Sequence, residues 1–137
     1  MRNVVVAGGR DYVMSEADFR FLENALAVFD VNEIFTDGTS GVAAQVEAWA
    51  QSRGIGVQRV VADWVAEGPA PISRRNTSLV NLAGAVIVFP GDEGTDDLVL
   101  KARMKKLTVN ESPSRQLAKL RAMPPGVRTR TGPRLSP

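Results

Sequence analysis

Three glycine-rich turns hold the residues of this chain that could contact an anion. The clearest is Pro90-Gly91-Asp92-Glu93-Gly94-Thr95, which follows the apolar run 85–89 and precedes a potentially helical segment. The other two turns also follow apolar runs, and they are Gly8-Gly9-Arg10 and Gly38-Thr39-Ser40-Gly41. A glycine turn between a strand and a helix points backbone N–H groups and a helix N-terminus at a bound anion, usually a phosphate. We therefore expect the three turns to share one site for a nucleotide-like ligand.

The missing residue types restrict the chemistry of any such site. The chain contains no histidine and no cysteine. Ser-His-Asp and Cys-His catalytic sites are therefore excluded, as are zinc sites built on these ligands. Catalysis would have to use carboxylates, arginine, lysine, Tyr12, hydroxyl groups or a hard metal ion on oxygen ligands. We predict neither a metal site nor a cofactor.

Two common nucleotide-binding fingerprints are missing as well. The chain has no G-x-x-x-x-G-K-[ST] motif, and no G-x-G-x-x-G motif follows its first apolar run. A P-loop NTPase and an ordinary NAD dehydrogenase are both disfavoured, because each class depends on its motif to hold phosphates.

The elements that must position the turns alternate along the chain. Apolar runs predict strands at 3–7, 32–36, 57–61 and 85–89, with a fifth, edge strand at 107–109. Between them, helices are predicted after Ser15, before Gly54, from Ser73 through Leu82, and over 96–106 with Thr95 as its N-cap. This alternation is typical of an α/β fold, here a Rossmann-like doubly wound parallel sheet in a single domain with 4–7 and 85–89 central. Ligands of such sheets bind outside the carboxyl ends of the strands, where all three turns lie.

The charge of the chain is divided unevenly. Residues 1–100 hold 7 Lys and Arg against 14 Asp and Glu, whereas residues 101–137 hold 10 Lys and Arg and one acid, Glu111. We expect a Rossmann-like domain over 1–110 and a basic tail over 111–137, with a short helix at 114–123 and disorder from 126 onward. The tail is either a solvated segment that balances an acidic domain or an arm that binds nucleic acid or another acidic partner through 101–137. Residues 101–137 contain no aromatic side chain, so stacking on bases does not support the second interpretation.

The composition predicts a cytoplasmic protein without membrane contact. Its 44% hydrophobic and 23% charged residues are typical of a globular chain. No apolar run approaches the roughly 20 residues of a membrane span. The N-terminus also lacks a basic segment followed by a long apolar stretch, so no signal peptide is predicted.

Taken in order, four segments resemble a known family, the YspA-related branch of the SLOG (Smf/DprA–LOG) superfamily. Val4-Val5-Val6-Ala7-Gly8-Gly9-Arg10-Asp11-Tyr12 resembles its opening motif, and Gly38-Thr39-Ser40-Gly41 with Ala48-Trp49-Ala50 is similar to its second motif. Ala62-Asp63-Trp64 with Gly68 and Arg75-Asn76 resembles the third block, and 90–97 resembles the PGG-x-GT signature. The resemblance covers about residues 3–107. It implies a Rossmann-like fold that binds nucleotides or nucleotide derivatives.

Departures from the family pattern bear on activity. The LOG-type phosphoribohydrolases of the superfamily carry a catalytic Glu three residues after the signature Thr, where this chain has Leu98. Asp92 replaces the second glycine of the signature, and Ala43 replaces the Asp that ends the second motif. The resemblance therefore implies a nucleotide-binding protein without LOG-type hydrolysis; if it is an enzyme, it is an N-glycosidic hydrolase acting on nucleotides. The alternative is a non-catalytic protein-interaction module on a repurposed SLOG scaffold, and a homo-oligomer is left open in either case.

The expected site gathers ten residues around one cleft at the carboxyl edge of the sheet. The glycines would allow close backbone approach, and Arg75 would supply a charge-assisted contact to an anionic group. Asp63 is either a ribose acceptor or acid/base group, or else a turn former, and Trp64 either stacks on a base or covers the core. Arg10 either contacts the ligand or pairs with Asp11 or Glu16 on the surface, and Asn76 either contacts the ligand or satisfies a local backbone group. The ten residues are Gly8, Gly9, Arg10, Gly38, Asp63, Arg75, Asn76, Gly91, Gly94 and Thr95.

Overall fold

A computed structural model describes residues 2–63 and 70–123 of the chain, and strands and helices alternate throughout that part. The strands are β1 (Arg2–Ala7), β2 (Val31–Thr36), β3 (Val57–Arg59), β4 (Ala85–Val88) and β5 (Thr108–Glu111). The helices are α1 (Glu16–Phe29), α2 (Val42–Ser52), α3 (Pro71–Leu82), α4 (Glu93–Met104) and α5 (Pro113–Ala122). Every predicted strand and helix is present in the described residues.

The five strands form one parallel sheet in the order β3-β2-β1-β4-β5. β1 and β4 lie side by side at its centre, with Val4 opposite Ala85 and Ala7 opposite Val88. The predicted single-domain, Rossmann-like α/β fold with these two strands central is therefore confirmed. The chain leaves β1 toward β2 and leaves β4 toward β5, so the two connections diverge from neighbouring strand ends. That divergence creates the crevice in which ligands of such folds bind.

Helices cover both faces of the sheet, and the two faces have separate cores. α1 and α2 pack Leu22, Leu26 and Val46 against one face, together with Val4 and Val6 of β1 and Ile87 of β4. α3 and α4 pack against the other face with Leu79, Leu98 and Val99, next to Val5 and Val86. Successive residues of a strand point to opposite faces, so a strand covered on both sides is apolar at every position. This explains the unbroken apolar runs of β1 and β4.

Local capping sets the ends of the first two helices. Ser15 and Asp18 form a reciprocal capping box at the start of α1, where the helix was predicted to follow Ser15. Gly54 follows the last residues of α2 with a φ of 71°, a left-handed conformation that costs little without a Cβ. These ends depend on residues close together in the chain, which is why the sequence indicates them correctly.

The starts of α3 and α4 correct two sequence-based expectations. α3 begins at Pro71 rather than after Ser73, because a proline at the first helical position needs no N–H partner. α4 begins at Glu93 and its N-cap is Asp92, not Thr95. The Asp92 carboxylate accepts the backbone N–H of Thr95 at 3.3 Å, so Thr95 already lies inside the first turn. β3 is also shorter than the predicted 57–61, ending at Arg59.

The basic segment after β5 begins with a helix whose first turn packs against the domain. Ser112 caps α5, and Ser114 donates its hydroxyl to Asp18 of α1 at 2.7 Å. Arg115 is buried and pairs with Asp96 at 2.8 Å and Glu111 at 2.7 Å. The predicted disordered tail at 126–137 lies outside the described residues. Within the described part, no helix is long and apolar enough to cross a membrane.

Candidate functional site

A cleft of about 180 Å³ opens at the carboxyl edge of the sheet, between the turns that follow β1, β2 and β4. Its polar and charged lining comes from the residues that the three turns and the start of α3 present. The lining residues of these kinds are Arg10, Asp37, Thr39, Arg75, Asn76, Asp92 and Thr95. Its apolar wall is formed by Val61, Ala62, Ile72 and Leu98. The cleft therefore combines an apolar surface with a few polar groups, which is the usual character of a small-molecule site.

Arg75 of α3 is the most unusual group in the cleft, because its side chain is only 8% exposed. Its Nε and Nη2 donate to the amide oxygen of Asn76 at 3.2 and 3.0 Å. The nearest carboxylate, Asp37, lies 3.8 Å from its Nη1, beyond hydrogen-bond distance. Within the described part of the chain, Nη1 donates no hydrogen bond. A buried cation whose charge is met mainly by an amide is well suited to take an anion.

Asn76 holds the Arg75 side chain in place through its own hydrogen bonds to α4. Its amide nitrogen donates to the backbone oxygen of Gly94 and to the Asp97 carboxylate, both at 2.9 Å. Burial alone would raise the pKa of Asp97, but hydrogen bonds from Lys101 and Asn76, with the charges of Lys101 and Arg75, lower it below its ordinary value. Asn76 thus links α3 to α4 and holds Arg75 at the cleft, so it serves as a positioning residue.

The turn after β2 is held by polar contacts on two sides. Asp37 accepts the backbone N–H of Thr39 at 3.0 Å and its hydroxyl at 2.7 Å. Below the turn, Thr36 donates its hydroxyl to the buried carboxylate of Glu47 at 2.7 Å. Burial alone would raise the pKa of Glu47, but hydrogen bonds from Arg59 and Thr36 lower it. These contacts fix the backbone that presents Asp37 to Arg75.

The glycines join the turns by close backbone approach. Gly9 donates its N–H to the oxygen of Pro90 at 2.8 Å, and a Cβ on Gly9 would lie 3.0 Å from the Gly91 Cα. Gly41 has a φ of 74°, and a Cβ there would collide with the backbone of Gly9 and Arg10. These glycines allow the turns after β1, β2 and β4 to meet, which a larger residue would prevent.

Arg10 and Asp92 face the opening of the cleft with opposite charge. Arg10 is exposed, and within the described residues its guanidinium makes no hydrogen bond or ion pair, so the alternative of a pair with Asp11 or Glu16 is not seen. Asp92 caps α4 and accepts from the N–H and the hydroxyl of Thr95. The cleft therefore holds a cation available to a ligand on one side and a carboxylate engaged with a helix end on the other.

The structure brings six of the ten predicted residues to this cleft: Gly8, Arg10, Arg75, Asn76, Gly94 and Thr95. Gly9 and Gly91 line a neighbouring cleft of about 250 Å³ that shares Arg10 and Asp92 with the first. Gly38 lies between the lining residues Asp37 and Thr39, and Asp63 follows the lining residue Ala62, but neither lines the cleft itself. Trp64 and Gly68 lie outside the described residues.

Sequence reasoning missed Asp37 and the apolar wall. Asp37 directly follows β2, so its position at the carboxyl end of a strand was the signal that could have identified it. The wall formed by Val61, Ala62 and Ile72 gave no such signal, because isolated apolar residues in a loop are common. In the described part of the chain, no group of three or more acidic residues could hold a metal ion.

Fold and cleft together define a Rossmann-like α/β protein whose carboxyl-edge cleft holds a buried arginine. Comparisons with protein families, curated proteins and solved structures gave no match to this chain.

Proposed function

We propose that this protein binds a nucleotide or a nucleotide derivative in the main cleft and does not hydrolyse it as LOG-type enzymes do. The observation that carries the proposal is the buried guanidinium of Arg75, which lines the cleft with one nitrogen, Nη1, that donates no hydrogen bond to any described residue. An anionic group would gain a charge-assisted hydrogen bond there in a site that water reaches poorly. The order of the four segments that resemble the YspA-related branch adds support for a nucleotide.

The absence of LOG-type hydrolysis follows from the residue at one position. Leu98 lines the cleft and is 2% exposed. The resemblance would require a catalytic Glu there, and a leucine side chain can neither transfer a proton nor stabilise a positively charged sugar. We therefore expect binding without release of the base.

Four described basic residues between 101 and 119 are already paired within the domain, which favours a small ligand over nucleic acid there. Arg103 and Lys119 pair with Glu111 at 3.1 Å each, and Lys101 pairs with Asp97 at 2.7 Å. Arg115 is buried between two carboxylates. Charges that are already paired within the domain release few counterions on binding a phosphate backbone, and that release drives most nonspecific nucleic-acid affinity.

Calorimetric titration with AMP and with ADP-ribose tests the proposal. We expect the wild type to bind AMP saturably and Arg75→Ala to bind it about 10-fold or more weakly, because a hydrogen bond to a charged group contributes about 1.5–3 kcal/mol. Arg75→Lys should retain part of the affinity, since it keeps the charge. Arg20→Ala is the control, because Arg20 lies on the exposed surface of α1.

Two results would contradict the proposal. Equal affinities of the wild type and a folded Arg75→Ala variant would remove Arg75 from the site. Release of adenine from AMP, followed chromatographically, would refute the non-hydrolytic part.

A further inference from the structure

The N-terminus of α4, where a phosphate would be expected to bind, already carries a negative charge from the chain itself. Asp92 is the N-cap of α4, and its Oδ1 accepts the Thr95 N–H at 3.3 Å and the Thr95 hydroxyl at 3.5 Å. These are donors that a bound phosphate would use at a helix N-terminus. A phosphate at this position would have to displace the Asp92 carboxylate or lie beside it with like charge.

Asp92 and Arg75 also lie close to the same point in the cleft. A Cβ built on Gly94 would be 3.4 Å from Oδ1 of Asp92 and 3.9 Å from Nη2 of Arg75. An anion held by Arg75 would therefore experience the field of Asp92 at short range. Like charges at such distances repel, and because Asp92 is exposed, water and salt screen part of that repulsion.

The charges that line the cleft balance. Its lining contains two guanidinium groups, Arg10 and Arg75, and two carboxylates, Asp37 and Asp92. These four groups can accommodate one added anionic group if Arg75 turns from Asp37 to the ligand and Arg10 also contacts it. It offers no surplus of positive charge for a di- or triphosphate chain.

Resting on the proposed nucleotide-binding function, we infer that Asp92 is a specificity-determining residue that selects against phosphate at α4. The ligand class is then a nucleoside or a nucleoside monophosphate. The phosphate of a monophosphate lies toward Arg10 and Arg75, and the sugar hydroxyls donate to the Asp92 carboxylate, which when ionised only accepts hydrogen bonds. Thus the Asp92 side chain both caps α4 and disfavours ligands that carry more than one phosphate.

Asp92→Asn tests this inference because it removes the charge and keeps the cap. Asn and Asp are comparable N-caps, so α4 should remain intact. Asp92→Ser, a second good cap, guards against an effect peculiar to the amide. Glu93→Gln is the matched control: it removes one negative charge from the same turn, at an exposed residue that does not line the cleft.

Calorimetry with adenosine, AMP and ATP on each folded variant gives the readout. We expect the wild type to bind AMP within about threefold of adenosine and ATP more weakly than AMP, because repulsion from Asp92 offsets the gain at the arginines. In Asp92→Asn and Asp92→Ser, AMP affinity should rise about 5- to 10-fold and ATP affinity more, with gains that shrink as salt is added. Adenosine affinity should stay unchanged or fall, and Glu93→Gln should behave as the wild type.

The outcomes separate this inference from the proposal beneath it. If AMP binds in an Arg75-dependent way but its affinity is the same in Asp92→Asn, the role of Asp92 is overturned and nucleotide binding stands. If Glu93→Gln raises AMP affinity equally, the effect is one of net charge and the inference also fails. If no variant binds adenosine, AMP or ATP, this inference is refuted, and the proposed function is refuted with it if ADP-ribose does not bind either.

Discussion

Two buried arginines, at the starts of α3 and α5, are held in opposite ways. Arg115 is 4% exposed and its guanidinium contacts two carboxylates, Glu111 at 2.7 Å and Asp96 at 2.8 Å. Arg75 is 8% exposed, yet its hydrogen bonds go to the Asn76 amide, and Asp37 is 3.8 Å away. A buried charge is costly unless it is paired and hydrogen-bonded. The difference teaches that Arg115 is neutralised within the fold, whereas Arg75 lacks a full counter-charge of the kind that a ligand could provide.

The largest expected effect is on the free energy of unfolding, which should depend more on Arg115 than on Arg75. Arg115→Met should lower the free energy of unfolding by about 2–4 kcal/mol, because it leaves a largely buried Glu111 without its closest partner. The value lies toward the low end of what buried pairs show, because Asp96 is 65% exposed and can be solvated again. Urea unfolding measures the change. Arg75→Met without ligand is the comparison and should lose less than Arg115→Met, about 1–2 kcal/mol, since it removes the donor to the Asn76 amide oxygen and only a long pair with Asp37. A larger loss at Arg75 than at Arg115 would reverse the distinction.

Acid should lower the free energy of unfolding partly through Glu111, and replacing Arg115 should reduce that pH dependence. Burial alone would raise the pKa of Glu111, but hydrogen bonds from Arg115 and Lys119 and their charges lower it below its ordinary value. A carboxyl whose pKa is lower in the folded state stabilises the fold above its unfolded pKa of about 4.3, and this contribution is lost as the pH falls through the folded pKa. The free energy of unfolding should therefore decrease as the pH falls from about 5 to about 3, and less steeply in Arg115→Met.

Urea unfolding at stepped pH provides that measurement. Asp18, Glu47 and Asp97 also have lowered pKa values, so the variant should keep part of the dependence. Parallel curves for the wild type and Arg115→Met would show that Arg115 does not set the pKa of Glu111.

The smallest expected effect concerns the partial partner of Arg75. Asp37→Asn removes the carboxylate that competes with a ligand anion but keeps an oxygen to accept from Thr39. AMP affinity should rise about two- to fivefold, because a partly exposed charge contributes modestly. The free energy of unfolding should change by no more than about 0.5 kcal/mol. A drop in AMP affinity on calorimetry would instead indicate that Asp37 contacts the ligand directly.

The sequence predicted the fold closely because the fold is encoded in repeated local patterns. Apolar residues at consecutive positions of β1 and β4 indicated strands covered on both faces, and the alternation with helices indicated a parallel sheet. The prediction of Thr95 as the N-cap of α4 was wrong because Asp92 and Thr95 are both good N-cap residues, three positions apart. In the structure Asp92 takes the role, and its side chain accepts the Thr95 N–H.

The site was predicted only in part, because several of its contacts join residues that are far apart in the sequence. The sequence placed Arg10, Arg75 and Thr95 after strands or at helix starts, and a parallel sheet brings those positions to one edge. It could not show that Gly9 and Gly91 face the neighbouring cleft, or that Asp37 lies near Arg75. These relations join loops far apart in the chain, and no local pattern encodes them.

By itself, then, the sequence determined the parallel sheet, its central strands, the turns at its carboxyl edge and the exclusion of histidine and cysteine chemistry. The tertiary structure decided which charges meet. It paired Arg115 with Asp96 and Glu111, left Arg75 facing an amide, and set Asp92 on the end of α4. The physical reason is that hydrophobic periodicity acts over a few residues, whereas the strength of a charge pair depends on distances and burial that exist only after folding.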